Sequence, residues 1–439
     1  MNELTRVVAR VFFCKFPDGT PNFERFLRVR FGLKTNPECK YLQNMKIDRI
    51  EVRFVEAQLD KPFGWSQRWT NTRSVVVLKV FTDDGVIGWG ETYGSQDTVA
   101  SIASIARSAI GEDPSNISQI WHKIHRATFQ SHGYAGIAVM AASAIDTALH
   151  DIVGKTTGKP VAEVMGGRIH DSIPVYATGL YYVDNYALQP HLDEAVGYIE
   201  QGFTGMKMKV GALPLKEDAD RIRATREAIG PDVHLMFDAN ESYDVSSALT
   251  FANMVADQDI TWFEEPCASR DFASNKMVQE KSPIPVSGGE SLSTRWEFAP
   301  RFAERTFDIV QPDICGVGGP SEMHHVGLMA QAFGIKFNPH FWGTGISFAA
   351  AVHSLALQPI GQIGQTNIPY QNESVLEFDQ TPHAVRENLT EPFFTQKNSR
   401  VAVPTKPGLG IELDEAVLER FTKGDVVVAD TTSGIQAFF

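Results

Sequence analysis

Three acidic residues recur at equal intervals along the chain, each at the end of a short apolar segment. Asp238, Glu264 and Glu290 are separated by 26 residues each time. If that interval is one strand and one helix, all three carboxylates reach the same rim of a parallel sheet. Clustered carboxylates cannot all stay ionised in a semi-buried place without a cation, and an all-oxygen site suits Mg²⁺ first and Mn²⁺ second. Each acid alone could cap a helix or pair with an arginine, but the even spacing predicts a metal site.

Two lysines, Lys207 and Lys209, come one strand before the acids. Because side chains alternate along a strand, both lysines lie on one face and the methionines between them on the other. Beside a dication we expect the lysines to depress each other's pKa, which suits one of them to accept a proton near neutral pH. The other can stay charged and hold a substrate carboxylate. A solvent-facing pair would be unremarkable, so this prediction depends on the acids that follow.

A histidine and an acid on the far side of the predicted sheet are again one repeat apart. Asp313 and His340 are separated by 27 residues, and each follows a short segment that ends in proline. A carboxylate bonded to one imidazole nitrogen selects the tautomer and raises basicity, so we expect a second general base opposite the lysine. Glu377 stands where an eighth strand should end and is a candidate general acid or hydrogen-bond donor. Glu373 is a rival for that role, and a plain surface acid is an equal alternative.

Eight short apolar segments alternate with helical stretches after Gly166-Gly167 and would position these residues. They lie at 175–178, 205–210, 235–238, 262–264, 286–289, 309–311, 337–339 and 375–378. Spacings of about 25 to 30 residues correspond to one strand, one helix and two loops, so residues 166–380 are predicted to form a (β/α)8 barrel. A doubly wound sheet is the rival, but no G-x-G-x-x-G motif follows the first strand.

Residues 45–165 are strand-rich at first and helical over 97–158, which predicts an α+β capping domain. The tetrad Thr82-Asp83-Asp84-Gly85 between two apolar runs predicts a hairpin, since Gly85 can take a positive φ. A loop at 61–72 carries Phe63, Trp65 and Trp69. These aromatic residues either close over the barrel mouth or only pack the domain interface.

The two ends of the chain differ from the rest. Residues 1–44 are basic and lack any sustained amphipathic period, so we interpret them as an N-terminal extension. It is either an upstream translation start or a partly ordered arm. Residues 381–439 are interpreted as an irregular C-terminal segment that returns to the capping domain and completes it.

Composition limits the classes of partner. The chain has 439 residues, with 40 Lys and Arg against 53 Asp and Glu, and its net charge of −13 argues against nucleic acid. No window approaches 18 uninterrupted apolar residues, and Arg6, Arg10 and Lys15 interrupt any signal-peptide core, so no membrane span or signal peptide is expected. The four cysteines lie far apart without a C-x-x-C pair, which is typical of reduced thiols in a cytoplasmic protein.

Several motifs occur together in a fixed order after Met45. They are Lys207-Met208-Lys209, Asp238-Ala239-Asn240, Phe263-Glu264-Glu265-Pro266, Gly288-Gly289-Glu290, Gln311-Pro312-Asp313 and Pro339-His340-Phe341-Trp342-Gly343-Thr344-Gly345. In these motifs the sequence resembles the mandelate racemase subgroup of the enolase superfamily. That superfamily is itself an established example of a Lys or His base working with one or two Mg²⁺ ions that stabilise an ene-diolate.

The resemblance implies that Asp238, Glu264 and Glu290 bind Mg²⁺, with Mn²⁺ as a substitute. It also implies that Asn240 contacts the substrate or the shell around the metal. The metal site would therefore consist of oxygen ligands from three successive strand ends, as the spacing alone suggests.

The resemblance also implies a role for each remaining site residue. Lys209 is the base on one face of the substrate α-carbon, and His340, oriented by Asp313, is the base or acid on the other. Lys207 neutralises the substrate carboxylate, and Glu377 contacts the substrate as an acid or hydrogen-bond donor.

Within the subgroup, the sequence is most similar to bacterial acid-sugar dehydratases and aldarate-lactone cycloisomerases. The similarity lies in Cys315-Gly316-Val317-Gly318-Gly319, Val375-Leu376-Glu377-Phe378-Asp379 and the His340 motif. It implies Mg²⁺-dependent removal of the α-proton of a sugar-acid carboxylate, giving an enediolate, followed by β-elimination. Trp65 and its loop would contact the substrate, a sugar acid or lactone. We expect a cytoplasmic homo-oligomer.

Other functions remain open at this stage. A racemase or epimerase would use the same two bases. A non-catalytic sugar-acid binder would need no opposed pair of bases. A metal-dependent hydrolase barrel would want His-x-His after the first strand, where Ala177-Thr178-Gly179 stands instead.

Overall fold

The computed structural model describes residues 45–359, 366–391 and 394–432. The expected extension at residues 1–44 lies outside the described residues.

The N-terminal part of the described chain forms an antiparallel sheet covered by helices. Its strands are β1 (Ile47–Gly64), β2 (Trp69–Thr82), β3 (Ile87–Thr92) and, from the C-terminal part of the chain, β15 (Thr422–Ala429), in the order β15-β1-β2-β3. The apolar faces of three helices pack on this sheet: α1 (Val99–Ala106), α2 (Ile117–His132) and α3 (Ile137–Thr157). The predicted hairpin joins β2 to β3, with Gly85 at φ +91°.

Helix α3 is the one described helix that is long and apolar enough to cross a membrane, and 83% of its most apolar window is buried inside the protein. Two glycines of β3 allow the close packing. A Cβ on Gly88 would lie 2.3 Å from the Ala148 carbonyl oxygen, and one on Gly90 would lie 1.9 Å from that of Ala144. The apolar length of α3 is therefore explained by its place in the core of the capping domain.

Eight parallel strands curl into the second part of the molecule. They are β4 (Ser172–Thr178), β5 (Gly205–Lys209), β6 (His234–Asp238), β7 (Ile260–Glu264), β8 (Val286–Gly288), β9 (Ile309–Val310), β10 (Lys336–Phe337) and β11 (Leu376–Asp379). Neighbours follow chain order from β4 to β10, and β11 pairs with β4. The Glu377 amide donates to the Pro339 carbonyl (3.4 Å) next to β10. The predicted (β/α)8 barrel with a capping domain is confirmed.

The helices that follow have recognisable starts. They are α4 (Val161–Val164), α5 (Leu188–Glu200), α6 (Leu215–Ile229), α7 (Val245–Met254), α8 (Phe272–Lys281), α9 (Thr294–Glu304), α10 (Gly319–Phe333), α11 (Gly345–Ala356), α12 (Ala384–Leu389) and α13 (Glu415–Phe421). Asp244 caps α7 by accepting from the Ser247 amide (2.7 Å), and Asp271 caps α8 by accepting from the Ser274 amide (3.1 Å).

Inside the barrel, an apolar layer lies directly below the strand ends. Tyr176, Met236, Trp262 and Ile309 belong to one buried cluster. Met236 and Trp262 precede Asp238 and Glu264 by two positions, so they share a strand face with these acids. The acids therefore lie directly above buried apolar side chains, where their charges are weakly screened.

Two expectations about irregular segments are wrong. The loop expected at 61–72 shrinks to residues 65–68, because β1 and β2 resume pairing beyond a bulge, with Phe63 opposite Thr70 and Gly64 opposite Trp69. The expected irregular segment 381–439 contains α12, α13 and β15 as well as β12 (Thr390–Glu391), β13 (Arg400–Ala402) and β14 (Glu412–Leu413). Strand β15 pairs with β1 of the cap, but β13 pairs with β4 of the barrel. These short strands find partners far away in sequence, so their own residues show no sustained period.

A buried ion cluster joins the cap to the barrel. Arg73 of β2 and Arg386 of α12 both pair with Asp379 at the end of β11, the first at 2.8 Å. Burial acts to raise the pKa of Asp379, but the Arg386 and Arg73 charges hold it well below its usual range.

We expect Asp379→Asn to destabilise the protein by roughly 3 to 5 kcal/mol, because it leaves two buried guanidinium groups without an anion. Since folding lowers this pKa, the contribution is complete above the ordinary Asp pKa and is lost only as the pH falls toward the folded-state value. Urea unfolding at pH 7 measures the effect. Asp220→Asn removes an exposed acid with two surface ion pairs and is the control. Equal loss in both variants would contradict the prediction.

Candidate active site

The three evenly spaced acids meet at one rim of the barrel. Asp238 ends β6, Glu264 ends β7, and Glu290 follows β8 by two residues. One carboxylate oxygen of each lies within 4.8 Å of those of the other two. Glu290 Oε2 is buried and has the ring nitrogen His340 Nε2 3.3 Å away, and Asn240 Oδ1 in the same cavity wall is buried without a hydrogen-bond partner. Three carboxylates and an unpartnered amide oxygen are the donor set that suits Mg²⁺ or Mn²⁺.

The electrostatics of this cluster favour a cation. Burial raises the pKa of Glu264 to about 7, and the charges of Asp238, Glu377 and Glu290 add to the rise while Lys207 opposes it. Burial also raises the pKa of Glu290. Because the acids repel one another in a place of low dielectric, a positive charge placed between them reduces this repulsion.

The loops after β6 and β7 hold the acids through strained backbone. Asn240 and Glu265 have positive φ values of 43° and 42°. The Asn240 amide donates to Asp238 Oδ1 (2.7 Å), and the Glu265 amide donates to the Ser287 carbonyl (3.0 Å). These bonds compensate for conformations that non-glycine residues rarely adopt, and such conformations concentrate at functional sites.

Both lysines of β5 face the acids. Lys209 Nζ forms a short ion pair with Asp238, while Lys207 Nζ forms one with Glu264 and lies 3.0 Å from Glu377 Oε1. Lys207 is completely buried, whereas Lys209 lines the open cavity.

The expectation that the lysines depress each other's pKa beside a dication stays a prediction: Lys207 does act to lower the pKa of Lys209, but in the protein's own field the carboxylates outweigh it. Burial acts to lower the pKa of Lys209, but attraction to Asp238 outweighs it and the net shift is upward. The pKa of Lys207 is also raised, by Glu264 and Glu377 against the effect of burial. Each lysine is in direct contact with a carboxylate, so attraction dominates.

His340 and Asp313 form a dyad. His340 Nδ1 lies 2.6 Å from Asp313 Oδ2, and Nε2 lies 3.3 Å from Glu290 Oε2. Burial acts to lower the pKa of His340, but Glu290, Glu377 and Asp313 raise it to about 10. The imidazolium is therefore the form that the surrounding charges favour at neutral pH.

The structure separates the two rival acids near β11. Glu377 is buried between Lys207 (3.0 Å) and His340 (3.7 Å), and its Oε2 accepts from the Phe341 amide (3.3 Å). Glu373 instead pairs with Arg400 at 2.6 Å, away from this cluster. Glu377 thus belongs to the cluster of acids and lysines, and both it and Lys207 are buried beneath the residues that line the cavity.

A cavity of about 420 Å³ opens above these residues. Lys209 on β5 and His340 after β10 both line it, and in the strand order β5 and β10 stand on either side of β6, β7 and β8, the strands that carry the acids. The capping domain forms the remaining part of the cavity wall. The residues that it contributes are Trp65, Arg68, Ser74, Tyr93 and Gly94.

The three aromatic residues around the turn between β1 and β2, Phe63, Trp65 and Trp69, have different surroundings. Trp65 lines the cavity and packs edge-on against Trp342 (ring centroids 5.7 Å apart). Phe63 is buried against Tyr181, and Trp69 is 40% exposed. Gln67 Nε2 donates to the Asn240 carbonyl, which ties the turn between β1 and β2 to the loop after β6.

Sequence reasoning missed several residues around the site. Gln311 donates through Nε2 to Glu264, and its motif position was the only signal. Tyr93 donates through its hydroxyl to Asp313 Oδ2 (2.7 Å). Tyr93 and Arg68 lie in the cap, outside the barrel repeat, and no spacing pattern in the sequence connects them with the site.

Two family models match the chain. The N-terminal domain of the mandelate racemase / muconate lactonizing enzyme family matches residues 49–166, and the enolase C-terminal domain-like family matches residues 191–417. Together they cover both the cap and most of the barrel.

The chain is also similar to characterised enzymes along most of its length. D-galactarolactone cycloisomerase of Agrobacterium fabrum is 35% identical over 87% of this chain and 100% of its own. Arabinonate dehydratase of Saccharolobus solfataricus is 33% identical over 79% of this chain and 90% of its own. The structure of L-talarate/galactarate dehydratase from Salmonella typhimurium LT2, liganded with Mg and L-lyxarohydroxamate, superposes with a TM-score of 0.77 at 26% identity, covering 90% of this chain and 97% of its own.

Proposed function

The chain belongs to the mandelate racemase / muconate lactonizing enzyme family of the enolase superfamily, and we propose that it is a Mg²⁺-dependent enzyme that eliminates a β-leaving group from a sugar acid. It takes the α-proton of the substrate carboxylate first. The leaving group is then a hydroxyl, in dehydration, or the ring oxygen of an aldarate lactone, in cycloisomerisation. Relatives named for both reactions support this pair of outcomes.

The observation that carries the proposal is the pair of proton-transfer groups on facing parts of one cavity wall. Lys209 stands on one part and the His340–Asp313 dyad on the other, with the acid triad between them. A pure binding protein gains nothing from two opposed groups of this kind. An α-carbon held between them can lose a proton to one and exchange protons with the other.

The energetic problem of the reaction is the second negative charge. Removing the α-proton of a carboxylate produces a dianionic enediolate, so fixed positive charge must be present where that charge develops. Lys207 is held in place by Glu264 and Glu377 and supplies one such charge. Asp238, Glu264 and Glu290 would hold Mg²⁺, which would supply Lewis-acid stabilisation of the developing negative charge.

The chain's own residues then divide the proton transfers. In its neutral form, which is favoured once a cation offsets the charge of Asp238, Lys209 accepts the α-proton and the Cα–H electron pair forms the enediolate. Collapse of the enediolate forms the Cα–Cβ double bond as the bond from Cβ to the leaving oxygen breaks. In dehydration, His340 donates a proton to the departing hydroxide, which leaves as water. In lactone opening the departing group is a carboxylate, which needs no proton. The resulting enol tautomerises to a 2-keto-3-deoxy acid.

The test is a turnover survey in D2O. Metal-loaded protein is incubated with aldarates, aldonates and their lactones, while NMR follows keto-acid formation and deuterium at the α-carbon. We expect a 2-keto-3-deoxy acid from at least one compound. Deuterium incorporation without loss of a leaving group would instead indicate a racemase or epimerase with the same bases. Binding without either signal would indicate a binder, and both outcomes would contradict elimination.

Arg68 predicts which compounds of the survey are the better substrates. It lines the cavity, its guanidinium lies 4.8 Å from the Trp65 ring centroid, and it forms no ion pair with any carboxylate of the described chain. We expect it to hold the second carboxylate of an aldarate, or the lactone carbonyl that leaves as a carboxylate. Because Arg68→Gln removes one charge-assisted hydrogen bond, we expect it to lower kcat/KM for such substrates by about 10- to 100-fold.

The matched comparison for Arg68→Gln is the aldonate of the same configuration, which lacks the second carboxylate. Its kcat/KM is expected to change by less than about threefold, since no charge-assisted bond is lost. An equal fall for both substrates would show that Arg68 does not discriminate between them. Arg223→Gln removes an arginine on helix α6 that pairs with Asp220 and serves as the control.

A further inference from the structure

We infer that Tyr93 of the capping domain is a positioning residue for the His340 side of the reaction, acting through Asp313. The inference rests on the proposed function and adds a third member, from the other domain, to the dyad. It does not follow from the barrel repeat, because Tyr93 lies 220 positions before Asp313 in the chain.

Three donors hold the Asp313 carboxylate. The Tyr93 hydroxyl donates to Oδ2 at 2.7 Å, His340 Nδ1 lies 2.6 Å from the same oxygen, and the Cys315 amide donates to Oδ1 at 2.6 Å. Two donors on one oxygen and one on the other prevent rotation of the carboxylate about its last torsion. Asp313 therefore presents Oδ2 to His340 in a single orientation.

This orientation determines what His340 offers to the cavity. Because Nδ1 faces a carboxylate, its proton stays there, and Nε2 is the nitrogen directed toward Glu290 and the cavity. Proton transfer to or from a substrate requires Nε2 within hydrogen-bond reach of the reacting atom. Loss of the Tyr93 hydroxyl would leave Asp313 Oδ2 with one donor and would allow the imidazole to tilt.

Tyr93 directly follows β3, and the last residues of β3 contact the chain that follows His340 and the loop that follows Asp313. Glu91 accepts from the Thr344 amide, in the loop after His340, and from the Ser347 hydroxyl, in the first turn of α11, each at 2.8 Å. Thr92 Oγ1 donates to the Cys315 carbonyl (2.8 Å), in the loop after Asp313. These two contacts dock the cap without involving the Asp313 side chain, so docking and positioning can be tested separately.

Packing alone does not explain why residue 93 carries a hydroxyl group. The ring lines the cavity beside His340, and phenylalanine would fill the same wall. The hydroxyl is directed to Asp313 and is committed to that bond. Its role is thus to orient the dyad, and it is not placed to transfer a proton to substrate.

The experiment compares Tyr93→Phe with Thr92→Val in the full, metal-loaded protein. Thr92→Val removes a buried bond between the domains and keeps the Asp313 contact. Solvent deuterium exchange is measured on a pair of substrates epimeric at the α-carbon, so that one presents its proton to His340 and the other to Lys209. Tyr93→Phe should lower the His340-side kcat by about 10- to 100-fold with little change in KM, as loss of an orienting partner does elsewhere.

In the same experiment, Lys209-side exchange should stay within about threefold of wild type, since its ion pair with Asp238 is untouched. Thr92→Val should leave the ratio of the two sides unchanged. Equal losses on both sides in Tyr93→Phe, or the same ratio in both variants, would overturn the inference.

A second readout does not depend on turnover. In protein with ¹⁵N-labelled histidine, the His340 imidazole signals are assigned by their loss in His340→Asn. Wild type and Thr92→Val should show the same His340 ring signals, with Nδ1 protonated in both, and Tyr93→Phe should show shifted ring signals. Unchanged signals in Tyr93→Phe would overturn the inference. If no substrate is turned over, the proposed function fails, and the NMR comparison still decides the role of Tyr93.

Discussion

Replacing Lys209 with methionine is expected to lower kcat by about 10³-fold, the range that a positioned general base contributes. The lysine lines the cavity and has Asp238 as its ion-pair partner, and no other amine lines this cavity among the described residues. Methionine keeps the length of the side chain and removes only the titrating group. Turnover of the best substrate from the survey, followed through keto-acid formation, measures the loss.

The matched partner of this variant is His340→Asn. If Lys209 takes the α-proton, Lys209→Met abolishes both exchange and elimination, whereas His340→Asn retains exchange and loses dehydration. A lactone substrate should be less sensitive to His340→Asn, because its leaving carboxylate needs no proton.

Two controls make the Lys209 result interpretable. Lys216→Met removes an exposed lysine that pairs with Asp220 on helix α6, and its activity should equal that of wild type. Thermal unfolding of Lys209→Met shows whether loss of the Asp238 partner has disturbed the fold. A folded Lys209→Met protein with undiminished turnover would contradict the assignment of Lys209 as the base.

Removing the divalent cation is expected to have an effect of similar size, about 10³-fold or more, because Lewis-acid stabilisation is worth several kcal/mol. Chelator-treated protein should recover with Mg²⁺ and with Mn²⁺. Glu290→Gln should weaken Mg²⁺ binding and lower turnover, since it removes the charge of one of the three carboxylates that can hold the cation. Glu280→Gln, at an exposed position on helix α8, is the control.

The pH dependence of metal binding follows from the same cluster. The pKa of Glu264 is raised to about 7 in the protein's own field, so its carboxyl gains a proton as the pH falls through that value. A cation must then displace the proton, and the apparent affinity for Mg²⁺ should be weaker at pH 6 than at pH 8. Calorimetric titration at the two pH values measures this. Stronger binding at pH 6, or full activity of chelated protein, would contradict a metal site at the triad.

The regular part of the site could be predicted from the sequence. Asp238 and Glu264 are the last residues of β6 and β7, and Lys207 and Lys209 lie on β5. In a (β/α)8 barrel the strand ends converge on one rim, so the position of a residue in its repeat determines where its side chain emerges. The chemistry of these side chains and their spacing were therefore enough to predict one cluster.

The electrostatic state of that cluster could not be predicted from residue types alone. The expectation of depressed lysine pKa values referred to lysines beside a bound dication and named no carboxylate of the protein as a partner for either lysine. Folding places Asp238 against Lys209 and Glu264 against Lys207, and the pKa of each lysine rises. Distances of a few ångströms decide the sign of such shifts, and the order of residues does not contain them.

The sequence by itself determined the barrel, the acid triad and the facing lysine and histidine, because each belongs to a repeat whose period is local. Only the tertiary structure decided that Glu377 and not Glu373 joins them, and that Tyr93 and Arg68 reach them from the cap. The reason is physical. A contact between two domains depends on how two separately folded surfaces meet, and neither surface carries a local pattern that records its partner.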